Sequence, residues 1–204
     1  MDDLLIAEIK DFVLRHPPPK LADDAMLSAD EFRRLGFTPR VLYPTASASD
    51  VAKAEADLGF PLPHLLKKLY REVSNGIAGF AYDIIGLHGG CASDSGTLVD
   101  AYLSFKAAGE SETSAWQERL LPFCNWGCAV YSCVDCTDPA YPILTYEDSG
   151  VWPERYSLSR FFEMWLQGNV LRSQEHVEIV TREIISPFTG KKTAVSARRR
   201  KKPE

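Results

Sequence analysis

The sequence contains no long hydrophobic run, and no window approaches the about eighteen consecutive apolar residues that a membrane-spanning helix requires. Its opening residues, MDDLLIAEIKDFVLRH, are acidic where a secretory signal is basic, so the chain is expected to be cytoplasmic. Four chemical signatures are also missing: a G-x-x-x-x-G-K-[ST] loop, a G-x-G-x-x-G turn after a strand, H-E-x-x-H and G-x-S-x-G. Their absence leaves nucleotide, zinc-protease and serine-hydrolase chemistry without a foothold. Cysteine is scarce and odd in number, five in 204 residues, which favours reduced thiols over a disulfide framework. No internal repeat or long low-complexity tract is present.

Two clusters of chemistry-bearing residues remain. Cys124, Cys128, Cys133 and Cys136 form C-x3-C-x4-C-x2-C, whereas a four-cysteine zinc site joins two C-x2-C knuckles across a longer loop. Residues 127–135 read as a strand, which puts Cys128 and Cys136 on one side and Cys133 on the other, so buried thiols are favoured over a metal or iron-sulfur site. His88-Gly89-Gly90-Cys91 and Asp94 gather an imidazole, a thiol and a carboxylate in one loop. Catalytic triads draw their members from separate elements, so the glycines read as a tight loop. No catalytic residue, metal or other cofactor is expected. His16, His64 and His176 read as surface residues.

The formal charge of -5 is unevenly spread. Residues 191–204 hold seven Lys/Arg and one acid, leaving 16 bases and 27 acids in residues 1–190. An acidic body repels nucleic acid and membrane surfaces and attracts basic proteins. Residues 197–204 read as a disordered basic tail, the one segment suited to nucleic acid.

Along the chain, Leu5, Ile9, Phe12 and Val13 share one side of a helix that must stop before Pro17-Pro18-Pro19. Ser28-Ala29-Asp30-Glu31 starts a second short helix ending at Gly36. Ser47 and Asp50 then form a capping box, Val51, Ala54 and Leu58 fall on one face, and Gly59 ends that helix. The elbow Phe60-Pro61-Leu62-Pro63 leads into a helix carrying Leu65, Leu66, Leu69, Tyr70 and Val73, closed by Asn75-Gly76. Phe80–Leu87 reads as a strand, and Asp94 or Ser95 as the cap of a helix carrying Leu98, Tyr102 and Phe105, closed by Gly109. Strands follow at Leu120–Phe123, Gly127–Asp135 and Ile143–Tyr146, then a helix in SLSRFFEMWLQG. A hairpin turns at Ser186–Gly190.

The order of acidic helix, Leu58-Gly59, Leu62-Pro63, Leu/Tyr-rich helix and Asn75-Gly76, then Leu121-Pro122-Phe123, the Gly127-led strand and a closing Phe/Leu helix, resembles the SUKH superfamily. That superfamily includes a fungal cell-wall synthesis regulator and many bacterial immunity proteins. The resemblance spans roughly residues 47–168. It implies an α+β fold, a mostly antiparallel sheet flanked by helices, here with an N-terminal helical extension (1–46), the SUKH-like domain (47–172), a C-terminal hairpin (173–196) and the tail (197–204). It further implies a protein-binding module and not an enzyme, most specifically an immunity protein that neutralises a cognate polymorphic or contact-dependent toxin by stoichiometric binding. The alternatives are a regulatory scaffold of the cell-wall-regulator type and an enzyme using the His88–Cys91 loop. Asp135, Asp138, Glu147 and Asp148, read as lying in loops with Trp152 and Tyr156, are the expected contacts to a basic partner such as a toxin domain, the carboxylates steering and the aromatics anchoring.

Overall fold

The computed structural model describes residues 2–15, 40–79, 83–111, 117–147, 150–167, 177–185 and 192–200. The chain divides into two compact units, Met1–Gly168 and Asn169–Glu204.

In the first unit, helix α1 (Asp2–Arg15) buries Leu5, Ile6, Ile9 and Val13, and Phe12 meets the Trp165 ring edge-on at 5.4 Å. The apolar stripe therefore covers the protein's own core. Asp3 and Asp2, in the first turn where the helix dipole favours acids, pair with Lys68 and, at 3.0 Å, with His64. The short helix expected near Ser28 lies outside the described residues. Strand β1 (Arg40–Leu42), unseen in the sequence, follows.

Helix α2 (Ala48–Leu58) starts as its cap dictates: Asp50 N–H donates to Ser47 Oγ at 3.1 Å, and Ser47 N–H donates to the Asp50 carboxylate at 2.8 Å. Gly59, at φ 79°, ends it, and Val51, Ala54 and Leu58 are buried. Glu55 fixes the elbow by accepting Leu62 N–H at 2.8 Å and pairing with Lys67 at 2.9 Å. Helix α3 (His64–Lys68) then widens into one π-helical turn, Leu69–Val73. Ser74 N–H reaches back five residues to Leu69 O at 3.0 Å, and Ser74 is extended, so the helix stops there and Asn75-Gly76 is not its closing cap.

Of the expected strand Phe80–Leu87, residues 80–82 lie outside the described residues and only Asp83–Ile84 is strand; this β3 pairs antiparallel with β2 (Ile77–Gly79). Gly79 N–H donates to the Asp83 carboxylate across the connection at 2.9 Å. Helix α4 (Leu98–Ser111) is capped by Thr97, which exchanges hydrogen bonds with Asp100, and not by Asp94 or Ser95. Gly109 lies inside this helix and does not close it.

Strands β4 (Leu120–Asn125), β5 (Tyr131–Asp135), β6 (Pro142–Glu147) and β7 (Gly150–Ser157) complete the sheet, and α5 (Leu158–Leu166) follows with Ser157 as its N-cap. All seven strands are antiparallel and ordered β1-β2-β3-β4-β5-β6-β7, each beside its neighbour in sequence. The fold is α+β with helices packed on a sheet. One core gathers Phe123, Phe161, Phe162 and Trp165 with Leu66, Leu69 and Tyr70, all buried, and the Phe123 and Phe161 rings meet edge-on at 4.9 Å. A second aromatic contact sets Phe105 of α4 against Tyr131 and Tyr146 at 4.9 and 5.0 Å.

The second unit contains β8 (Val177–Ile185) paired antiparallel with β9 (Lys192–Arg200), in register from Val177↔Arg200 to Ile185↔Lys192. The hairpin is present, but β9 continues through Ala197–Arg200, which the sequence assigned to a disordered tail. Composition measures how much apolar surface a segment can bury, whereas a ladder is held by backbone hydrogen bonds that any non-proline residue supplies. Residues 201–204 lie outside the described set.

Candidate partner-binding surface

The β5–β6–β7 meander positions the residues expected to meet a partner. Tyr131 pairs with Tyr146 and Val134 with Ile143, while Thr145 pairs with Trp152 and Pro142 with Ser157. Trp152 and Tyr156 are therefore strand residues of β7 and not loop residues. The sequence hides this strand because Pro153 reads as a breaker. In the sheet β7 is outermost, an edge position where a missing N–H is tolerated.

This register separates the five described candidates. Asp135, Asp138 and Tyr156 stand at the end of the meander where β5 turns into β6; Glu147 and Trp152 stand at the other, where β6 turns into β7. The length of β6 puts roughly 17 Å between the two ends. Asp148 lies outside the described residues. Asp135 and Asp138 also have local duties, accepting Thr137 N–H and Ala140 N–H at 2.8 Å each to shape the turn. The structure thus offers two patches, one of aspartates with Tyr156 and one of Glu147 with Trp152.

Beside the second patch the sheet carries polar groups that the sequence did not single out. Glu154 is buried, and Thr145 Oγ1 donates to its carboxylate at 2.7 Å. Trp126 Nε1 donates to Ser132 Oγ at 2.8 Å, and Ser132 is in register with Thr145. Trp152 Nε1 is buried without a hydrogen-bond partner in the structure. The alternation Trp152, Glu154, Tyr156 was the available signal, masked by Pro153.

Concave regions lie elsewhere among the described residues. A cleft of about 310 Å³ between α2 and the start of α4 is lined by Asp50, Asp57, Asp100, His88 and Lys53. Hydrogen bonds from Ser47 and Thr97 hold the Asp50 and Asp100 carboxyls below their usual range, with a smaller contribution from His88. A groove of about 260 Å³ is lined by His64, Lys67, Lys68 and Arg71. Its first three bases already face Asp2, Glu55, and Asp3 with Glu72.

The SMI1 / KNR4 family (SUKH-1) matches residues 45–168, more than half of the chain and nearly all of the first unit from Thr45 onward. The chain belongs to that family. No curated protein matches it. The family is one of immunity and regulator-type protein-binding domains and is generally non-enzymatic.

Within this SUKH-1 domain the His88–Cys91 loop has a structural task. Asn75 Oδ1 accepts Leu87 N–H at 2.8 Å, Asn75 Nδ2 donates to His88 O at 3.1 Å, and Asn75 O accepts Cys91 N–H at 2.9 Å. A Cβ added at Gly90 or Gly86 would fall 2.1 or 2.2 Å from Asn75 O, so both glycines are required by close approach. Burial, then the neighbouring Asp83 carboxylate, push the Cys91 thiol up to about 11, away from the thiolate a nucleophile needs. Asn75 is a hub that sequence reasoning took for a helix terminator.

The other cysteines of the SUKH-1 domain are arranged differently from the strand expected over Gly127–Asp135. Gly127, Cys128 and Ala129 have φ of 76°, 53° and 58°, a left-handed turn that no strand accommodates, so β5 begins only at Tyr131. Cys128 is exposed on that turn, Cys124 and Cys133 are buried in β4 and β5, and Cys136 follows β5. Among the described residues no group of three or more His, Cys, Asp or Glu is placed to hold a metal ion. Burial raises the Cys124 and Cys133 thiols, and Cys136 is pushed up to about 12 by burial and then Asp135. In native protein at about pH 8, an alkylating reagent should label Cys128 first, with Cys91, Cys124 and Cys133 labelled only on unfolding. Peptide mapping by mass spectrometry reads this out, and rapid labelling of Cys91 would revive the enzyme reading. No helix among the described residues is long and apolar enough to cross a membrane.

Proposed function

We propose that this protein is an immunity protein that neutralises a cognate polymorphic or contact-dependent toxin by stoichiometric binding. Membership of the SUKH-1 family over residues 45–168 carries this reading. Charge supports it: residues 1–168 hold 14 bases and 24 acids, a surface suited to steering a basic toxin domain, as a nuclease that grips phosphate commonly is. The compartment in which it acts is the cytoplasm, where such a toxin must be stopped. A regulatory scaffold of the cell-wall-regulator type is the second reading, favoured by the SMI1 / KNR4 membership itself.

The β6–β7 hairpin is the first surface to test, because Glu147 and Trp152 stand together there with Asp148 next in sequence. Glu147→Lys with Asp148→Lys should slow association and flatten its salt dependence, while Trp152→Ala should act on dissociation and cost about 2 kcal/mol of binding. The assay uses the product of a neighbouring toxin gene, read by binding kinetics and growth rescue. Equal neutralisation by wild type and the triple variant moves the interface to the Asp135, Asp138, Tyr156 patch, tested next by the corresponding substitutions. A chromosomal neighbourhood without a toxin gene, together with capture of a regulatory partner, would replace immunity by the scaffold.

A further inference from the structure

The segment beyond the family match has a charge and a shape of its own. Residues 169–204 hold nine Lys/Arg and four Asp/Glu, a net of +5 in a chain whose total is -5. Asn169–Glu204 is a compact unit of its own, and its described residues form a two-stranded ribbon, β8 and β9, with nine residue pairs. Nine residues at about 3.3 Å each make a ribbon of roughly 30 Å, close to one turn of B-form duplex. Arg198, Arg199 and Arg200 pair with Ile179, Glu178 and Val177 at the open end of the ladder, and Lys201 and Lys202 extend the basic run to five consecutive residues. At the other end Lys192 pairs with Ile185, next in sequence to Lys191.

We infer that the β8–β9 ribbon is a duplex DNA-binding element that contacts the phosphate backbone without reading sequence. Three considerations select this occupant. Guanidinium groups match phosphate bidentately, and three of the five consecutive bases are arginine. A two-stranded antiparallel ribbon fits the major groove of B-form DNA, whereas the deep, narrow major groove of an RNA duplex excludes it. The roughly 30 Å length of the ribbon matches one turn of B-form duplex. A planar anionic membrane offers no such repeat. This element lies outside residues 45–168 and does not rest on the partner-binding reading.

The test uses full-length protein and a fluorescein-labelled 20-base-pair DNA duplex of arbitrary sequence, with anisotropy measured from about 50 to 200 mM salt. Binding should be independent of duplex sequence, and log K should fall linearly with log salt. Replacing Arg198, Arg199 and Arg200 together by alanine should reduce the slope by about 2–3 and the affinity at about 50 mM salt more than tenfold, with circular dichroism unchanged. Lys67→Ala with Arg71→Ala in the first unit should leave binding as it was. Absence of binding at about 50 mM salt, or binding unaffected by the triple substitution, would overturn the proposal. So would binding to an RNA duplex or to phosphatidylserine vesicles as strong as to DNA.

Discussion

Phe162→Ala lowers the stability of the unit formed by residues 1–168 by about 3–5 kcal/mol, with a fall of roughly 10 °C in its melting transition. Phe162 is fully buried and its ring lies 5.4 Å from that of Phe161, 6.2 Å from Phe123 and 6.3 Å from Trp165. Truncation empties a ring-sized volume between α5 and β4 that close-packed neighbours refill only in part. The loss is a large fraction of the roughly 5–15 kcal/mol that holds a folded domain. Chemical denaturation monitored by tryptophan fluorescence decides the matter, because Trp165 reports on this contact. A change below about 0.5 kcal/mol, the range of surface sites, would mean that α5 does not cover the core.

The second large effect belongs to a single hydrogen atom. Gly90→Ala places a methyl group where Asn75 O already sits 2.1 Å away, with Asn75 Cγ at 2.5 Å, so the loop must move off its hub. Movement breaks the bonds to Leu87 N–H, His88 O and Cys91 N–H together, leaving buried groups unsatisfied; the expected cost is about 2–4 kcal/mol. Gly89→Ala is the internal control. That residue has φ 76° and no atom within 4 Å of its added Cβ, so only the left-handed backbone penalty of about 1–2 kcal/mol applies. If Gly90→Ala proves no costlier than Gly89→Ala, the close approach to Asn75 is not what fixes the loop.

These two sites differ in how far they could be read from sequence. The core helices were legible because their signals are local: Ser47 and Asp50 cap each other within four residues, Gly59 stops its own helix, and Phe161, Phe162 and Trp165 repeat at helical spacing. The Asn75 hub was not legible, since an Asn-Gly pair after a helix looks the same whether it caps that helix or reaches twelve residues on to Leu87. The π turn is hidden for a related reason, as Leu69 to Val73 carry a pattern that an α-helix would share. β1 is three residues long and owes its existence to β2. For the partner surface, overlooking β7 turned two strand residues into loop residues. That made six side chains look like one patch when the register divides the five described ones between opposite ends of β6.

The order of the sheet bears on how the chain finds its fold. Among the described residues every strand lies beside its sequence neighbour, and the entropy of loop closure is concentrated at two joints. One spans the 34 residues from Leu42 to Ile77 and the other the 35 from Ile84 to Leu120, and helices α2 and α3 fill the first as α4 fills the second. From Leu120 to Ser157 the connections are only five, six and two residues long. Each doubling of a loop adds about 0.6 kcal/mol to its closure, so the two wide joints carry roughly 1.5–2.5 kcal/mol more than each of these turns. The β4–β7 meander is thus the low-contact-order part of the molecule, able to zip from its own turns, while β1 to β3 depend on helices that must first shorten the path between their ends.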